Sequence, residues 1–393
     1  MQPVYLDNNA ATRMAPEVLA AMLPYFTEHF GNASSQHGFG TPAAEAVRAA
    51  REQVRALVGA EHAHEIIFTS GGTESDNAAI LSALDARAER NEVIVSAVEH
   101  HAVLALVQFL AKQRGVAVRT IPVDGKGRLD MDAYRAALSP KTAIASIMWA
   151  NNETGTIFPV AELAALAREA GALFHTDAVQ AVGRVALDVQ ATAIDMLSLS
   201  AHKLHGPKGI GALYVRKGVR FAPLIRGGKQ ERGRRAGTEN VPGIVGLGKA
   251  AELSLARPSS QAGRVRTLRD RLEAGVLTRI GGSFVAGDAA NRLPNTACIV
   301  FDAALGEAIL GELNKAGIAA SSGSACAAGS VEPSHVLRAM KVPYTAALGA
   351  IRFSLSDENT EADIARVLEV LPTAVAKARE VSGFAPALPE LAG

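Results

Sequence analysis

Lys203 lies in Leu197–Gly206 (LSLSAHKLHG), where an apolar, strand-like run gives way to a glycine-bearing loop. A lysine amine at the end of a rigid strand, among Ser200, His202 and His205, suits an imine with an aldehyde cofactor. Upstream, in HTDAVQ (His175–Gln180), Asp177 closes a run of small and apolar residues. There it could keep a pyridine nitrogen protonated so that the ring accepts electrons, and Gln180 could reach the ring's phenolic oxygen. Gly71-Gly72-Thr73 stands between a strand and a helix start, where free backbone N–H groups and the helix dipole favour a phosphate. Each part has a plainer reading. Asp177 could cap the next helix, glycine-rich turns are common, and most lysines are surface residues. Together the three parts suggest pyridoxal phosphate (PLP).

Further residues bear on the reaction. His100, after EVIVS, could stack on a cofactor ring and move protons, or be a satisfied polar group at a strand end. Thr238, in RAGTEN, offers a second hydroxyl near the phosphate. Cys326 sits in SSGSACAAGS with no bulky side chain around it, so an exposed thiol able to act as nucleophile is expected there. Cys298, in NTACIVF, reads as a core residue. Arg352 lies inside the strand-like AIRFSLS, where burial demands an anion: a substrate carboxylate or a structural ion pair. The histidines and cysteines lack metal-ligand spacing, so no metal site is expected.

These residues need elements to hold them. Apolar runs at 65–69, 92–96, 116–121, 142–148, 172–176, 194–200 and 210–215 read as strands, with helices near 73–84, 101–114, 130–138 and 159–170 between them. Thr41-Pro42 reads as the N-cap and first residue of a helix to Val58. The alternation argues an α/β fold with a mostly parallel, helix-covered sheet. A composition shift at 253–261 marks a candidate boundary. Beyond it come a charged helix at 265–279, a strand at 296–301, a helix at 305–315 and short elements to a final helix at 361–380. That is a smaller α+β unit, and the last residues, GFAPALPELAG, read as a disordered tail.

The bulk numbers exclude some classes. At 393 residues with 48% hydrophobic composition the chain can build more than one core, and a net charge of +1 gives no reason to expect a nucleic acid or membrane partner. Two cysteines make no disulfide scaffold. No run approaches membrane-spanning length and the start lacks a leader pattern, so a cytoplasmic location is expected.

Taken over nearly its whole length, the sequence closely resembles the class V, fold-type I PLP enzymes, and within them the NifS-type cysteine desulfurases. The likeness is carried by YLDNNAAT, FGNASSQHGFG, FTSGGTESDN, MWANNETGT, FHTDAVQAVG, SAHKLHGPKGIG, RGGKQERGRRAGTEN, LPNTA, SSGSAC, EPSHVLRAM and IRFSLS. RGGKQERGRRAGTEN and PYTAALGAIRFSLS lean toward the nitrogen-fixation branch over the housekeeping IscS branch. The resemblance implies a large PLP domain over 16–254 with a seven-stranded sheet, and a small domain from 1–15 and 255–393 that carries the cysteine loop 321–330. It implies Lys203 as Schiff-base lysine, Asp177 on the pyridinium, Gln180 on the phenolate and His100 stacked on the ring. Gly72, Thr73, Ser200 and His202 would hold phosphate, with Thr238 reaching in from the second subunit of a homodimer. Asn152 and Arg352 would orient the substrate carboxylate, and Cys326 would accept sulfur.

The implied reaction takes sulfur from L-cysteine, releases L-alanine and leaves a persulfide on Cys326. That sulfur passes to an iron–sulfur scaffold or other acceptor, with nitrogenase clusters the implied destination and contact between Cys326 and a cluster during transfer conceivable. Alternatives are a selenocysteine lyase, an aminotransferase, an IscS-type desulfurase and a non-enzymatic iron–sulfur scaffold with a vestigial pocket.

Overall fold

The computed structural model describes residues 3–322 and 332–384. Cys326 and the tail beyond residue 384 lie outside the described residues. One sheet has seven strands in the order Ile66–Thr69, Gly211–Val215, Met196–Ser200, Leu173–Asp177, Thr142–Ser146, Glu92–Ser96, Ala117–Ile121. Gly211–Val215 runs antiparallel to both neighbours, and every other pairing is parallel. A parallel sheet needs cover on both faces, which is why its inner strands read as unbroken buried runs.

Alternation along each strand assigns side chains to two cores. On one face Val93 and Val95 pack with Ile80, Ala83, Val107 and Leu110 from helices Gly72–Ala86 and His101–Arg114. On the other, Ile94, Phe174 and Leu197 pack with Val54, Leu163 and Leu247 from helices Thr41–Val58, Val160–Glu169 and Val241–Ala256. A third cluster joins Val4 and Leu6 to Leu268, Ile299, Phe301, Phe353 and Leu371. It fills the space between helices Ser259–Arg279, Gly306–Lys315 and Glu361–Ser382 and an antiparallel four-stranded sheet. That sheet runs Ser321–Ser322, Ala350–Ser354, Thr296–Phe301, Ser283–Ala286.

One local expectation is corrected, one is narrowed, and one helix was not anticipated. Gly40, not Thr41, is the N-cap of helix Thr41–Val58, and no side chain caps it. The expected boundary at 253–261 shrinks to a break at Arg257-Pro258, because the helix before it runs to Ala256 and the next opens at Ser259. Pro258 can neither donate a helical hydrogen bond nor continue the preceding turn, so it sets the break alone. Helix Val241–Ala256 went unread because Gly243, Gly246 and Gly248 lower its apparent propensity. Those glycines serve packing: a Cβ at Gly248 would stand 2.6 Å from Ala50 Cα, and one at Gly246 would meet Met22 Sδ at 2.7 Å. Among the described residues, no helix is long and apolar enough to cross a membrane.

Candidate active site

The expected chemistry gathers where the parallel strands end, the edge at which open α/β sheets bind ligands. Asp177 is the last residue of Leu173–Asp177, and Ser200 the last of Met196–Ser200. Lys203 ends the short 3-10 turn Ala201–Lys203 that follows. His100 and Asn152 lie in the turns after Glu92–Ser96 and Thr142–Ser146, and Gly72 and Thr73 open the helix beyond Ile66–Thr69. Gly71 takes φ 154°, a conformation glycine reaches cheaply, and thereby aims the first turn of that helix at the sheet edge.

Lys203 is partly buried, and its Nζ donates to the carbonyls of Asn9 at 2.5 Å and Ala10 at 2.7 Å. Burial, then the cations Arg184 and Arg352, push its amine down to about 7. Asp177 is 7% exposed and its Oδ1 accepts from Val179 N–H at 2.9 Å, so it also caps the next turn. Burial raises its carboxyl, while His100 and Lys203 pull the other way, which ties the three groups into one site. Gln180 donates from Nε2 to Asn9 O at 3.0 Å and accepts from Arg184 at 2.7 Å, leaving one amide hydrogen for a ligand. His100 caps helix His101–Arg114 by accepting from Ala102 N–H at Nδ1, so Nε2 carries the proton of its neutral ring. Burial and the neighbouring lysines push His202 down to about 4, so it is uncharged at neutral pH.

A phosphorylated pyridine aldehyde fits these residues. The donor set holds a half-neutral amine, a buried carboxyl and a glycine cradle: a Cβ at Gly72 would come within 2.9 Å of Val179 Cγ2. Arg352 has one donor left over. Arg352 donates to Asn152 O at 3.1 Å and pairs with Asp7 at 2.9 Å, so the structural ion pair exists, yet its buried Nε has no partner among the described residues. Thr73 and Thr238 are exposed, the latter just before helix Val241–Ala256, where the expectation has it serve the site of a second copy. Cys298 is fully buried and pushed up to about 12, an inert core thiol.

The model of the class V aminotransferases matches residues 4–367. A cysteine desulfurase of Gluconacetobacter diazotrophicus is 68% identical over 384 residues, covering 98% of this chain and 96% of the relative. The chain belongs to the class V aminotransferase family. Within that family its likeness is to cysteine desulfurases. The NifS desulfurase of Azotobacter vinelandii is 58% identical over 98% of this chain and 95% of the relative. A solved NifS-like protein superimposes with TM-score 0.90 at 36% identity, covering 96% of this chain and all of the other.

In this member of the class V aminotransferase family a polar layer that the sequence did not disclose lies beneath Lys203, Asp177 and His100. His175, on the same face of its strand as Asp177, is fully buried between Ser146 Oγ at 2.8 Å and Ser198 Oγ at 2.9 Å. Burial drives it down to about 3, so it is neutral. Asp76 reaches in from helix Gly72–Ala86, 3.6 Å from His175 Nε2, and its Oδ1 has no hydrogen-bond partner among the described residues. Burial, then the charge of Asp177, raise Asp76 well above the carboxylate range. Glu99, which accepts from Ser96 Oγ and Met148 N–H, is pushed up to about 8 by burial. Glu153 accepts from Ser334 Oγ at 2.5 Å and rises to about 7 for the same reason. Asp76 carried no readable signal, because Glu74, Ser75 and Asn77 beside it are polar as well.

Proposed function

We propose that this protein is a PLP-dependent cysteine desulfurase that converts L-cysteine to L-alanine and holds the removed sulfur as a persulfide on Cys326. The observation that carries the reading is the meeting of a lysine amine lowered to about 7 with Asp177 and His100 at one sheet edge. Lys203, Asp177, Gln180 and His100 would hold the cofactor ring, and Gly72, Thr73, Ser200 and His202 its phosphate, with Thr238 from the second chain of a homodimer. When bound, the cofactor supplies an aldehyde carbon and an electron-accepting ring.

The chain's own residues do the rest. Near neutral pH, Lys203 Nζ is free on about half of the molecules, so it can take a proton from substrate and return one. Asp177 keeps a negative charge beside the ring nitrogen. Arg352 Nε and Asn152 orient the substrate carboxylate, which fixes the sulfur relative to the incoming thiol. As the substrate C–S bond breaks, the Cys326 sulfur bonds to the leaving sulfur, and the carbon skeleton departs as alanine. The division into a large domain over 16–254 and a small one from 1–15 and 255–393 belongs to this reading. The separate hydrophobic cluster around Phe301 and Phe353 supports it.

Iron–sulfur assembly, dedicated to nitrogenase, is the proposed destination of the sulfur, supported by the high identity to a NifS protein. Incubation with L-cysteine and a reductant should yield alanine and sulfide in equal amounts. Cys326→Ala should retain the cofactor on Lys203, trapped by borohydride and found by peptide mapping, yet form no alanine. Full turnover by that variant, or a tag on another lysine, would overturn the reading.

A further inference from the structure

A cavity of about 470 Å³ is lined by Lys203 itself with Asn8, Thr12 and Leu204, and its walls include neither Gly72 nor His100. It lies between the ends of the helices on one face of the main sheet and the segment Leu355–Asp357, and its size suits a small ligand. Much of its wall is apolar, from Leu57, Val185 and Val265.

Its charges are unbalanced. Asp357 already lies 3.4 Å from Arg257 Nε and 3.5 Å from His205 Nε2. Arg184, also on the wall, pairs with no carboxylate among the described residues. Among the described residues its guanidinium donates to Gln180 O at 2.9 Å, Gln180 Oε1 at 2.7 Å and, weakly, Asn8 O at 3.5 Å. Burial and the nearby Arg257 and Arg352 push Arg184 down to about 10, the signature of a desolvated cation among cations. Arg184 is half-buried, and a partly desolvated cation that lacks a carboxylate marks a place for an anion. Two further polar atoms on the wall, Ser254 Oγ and Gln261 Oε1, are buried without a partner among the described residues. A hydroxyl and a rotatable amide can both donate to a carboxylate.

We propose that this cavity is a binding site for a small aliphatic carboxylate, its anionic end on Arg184 and its hydrocarbon end against Leu57, Val185 and Val265. The site is wired to the chemistry. Arg184 holds Gln180 Oε1, Gln180 Nε2 donates to Asn9 O, and the same carbonyl accepts from Lys203 Nζ. An occupant that draws Arg184 into the cavity therefore loosens Gln180 and reaches the lysine, whereas an empty cavity leaves both in place. A bound carboxylate would thus act as an effector distinct from the substrate, which is oriented by Arg352.

Hexanoate is a suitable probe, since it has no amine and cannot condense at Lys203. Isothermal titration of the holoenzyme should give one saturable site per chain. Ala262→Trp, which fills the cavity from its exposed lip, and Arg184→Gln should each weaken binding at least about tenfold. Arg352→Gln should leave it unchanged. No saturable binding in the millimolar range, equal affinity in the Ala262→Trp and Arg184→Gln proteins, or loss on Arg352→Gln would overturn the proposal. Because binding is read directly, its failure leaves the desulfurase reading untouched, and absence of desulfurase turnover would leave this site standing.

Discussion

The lowered amine of Lys203 gives a quantity that can be measured without any turnover. At an ordinary value of 10.5, only about 3 lysine side chains in 10,000 are neutral at pH 7, whereas at about 7 roughly half are. The reactive fraction thus differs by roughly a thousandfold, which is the advantage burial would confer on Lys203 in the proposed attack on an aldehyde. Reductive methylation of the cofactor-free protein with ¹³C-formaldehyde labels each lysine for NMR titration. The Lys203 signal should show a midpoint near 7 while the exposed lysines titrate near 10. Arg184→Gln should raise that midpoint and Asp177→Asn should lower it further, because one removes a cation and the other an anion from beside Nζ. Burial is the largest cause, so neither change restores the ordinary value, and added salt has little effect. A Lys203 signal that titrates with the surface lysines, or two variants that shift it the same way, would refute the reasoning.

Two further outcomes follow from the same site. Gly72→Ala should weaken PLP binding at least about tenfold, because the new Cβ would stand 2.9 Å from Val179 Cγ2; Val179→Ala in the same chain should restore most of the affinity, as an absorbance titration would show. Stability of the cofactor-free protein should peak in mildly acidic buffer. Glu99 and Glu153, raised to about 8 and about 7, contribute stability that is full below the ordinary carboxylate value and is lost as pH rises through 7 to 8. His175 and His202, lowered to about 3 and about 4, act in reverse, so their contribution is full above 6.5 and is lost as pH falls toward 4. Urea midpoints from pH 4 to 9 should trace that dome, and Glu99→Gln should flatten its alkaline limb.

Much of the sheet was legible because burial on both faces keeps strands such as EVIVS and MLSLS rich in apolar residues, and their ends then locate Asp177 and Lys203. Helices with an apolar stripe and a glycine stop, such as His101–Arg114 before Gly115, were equally plain. The unread elements have a common cause. Strand Ser283–Ala286 is four residues between glycines and is held by its neighbour Thr296–Phe301, and helix Val241–Ala256 uses glycines to approach helix Thr41–Val58 closely. In both, tertiary contact overrides local preference. The buried acids were missed for a related reason: Asp76 near a helix start and Glu99 before one look like groups that favour the helix dipole, and only the packed fold reveals that they point inward.

Those acids bear on how one negative charge is kept at Asp177. Asp76, Glu99 and Asp177 are all buried in the same polar layer; Asp177 raises the cost of ionising the other two, and Glu99 adds to that of Asp76. A layer with three carboxylates and a neutral His175 would be poorly compensated, whereas protonated Asp76 and Glu99 leave a single charge facing His100 and Lys203. Asp76 is then needed for its shape and its proton, not for charge. Asp76→Asn, which is isosteric and neutral, should leave PLP affinity within about twofold of the parent, while Asp177→Asn should weaken it by tenfold or more, about 1.4 kcal/mol at the least. Asp76→Ala leaves a hole beside His175 and should lower stability, while His175 stays held by Ser146 and Ser198. The protonated carboxyl should also give an infrared C=O band that the Asp76→Asn protein lacks. A variant series in which Asp76→Asn weakens the cofactor as much as Asp177→Asn would mean that Asp76 carries charge, and the single-charge account of the site would be wrong.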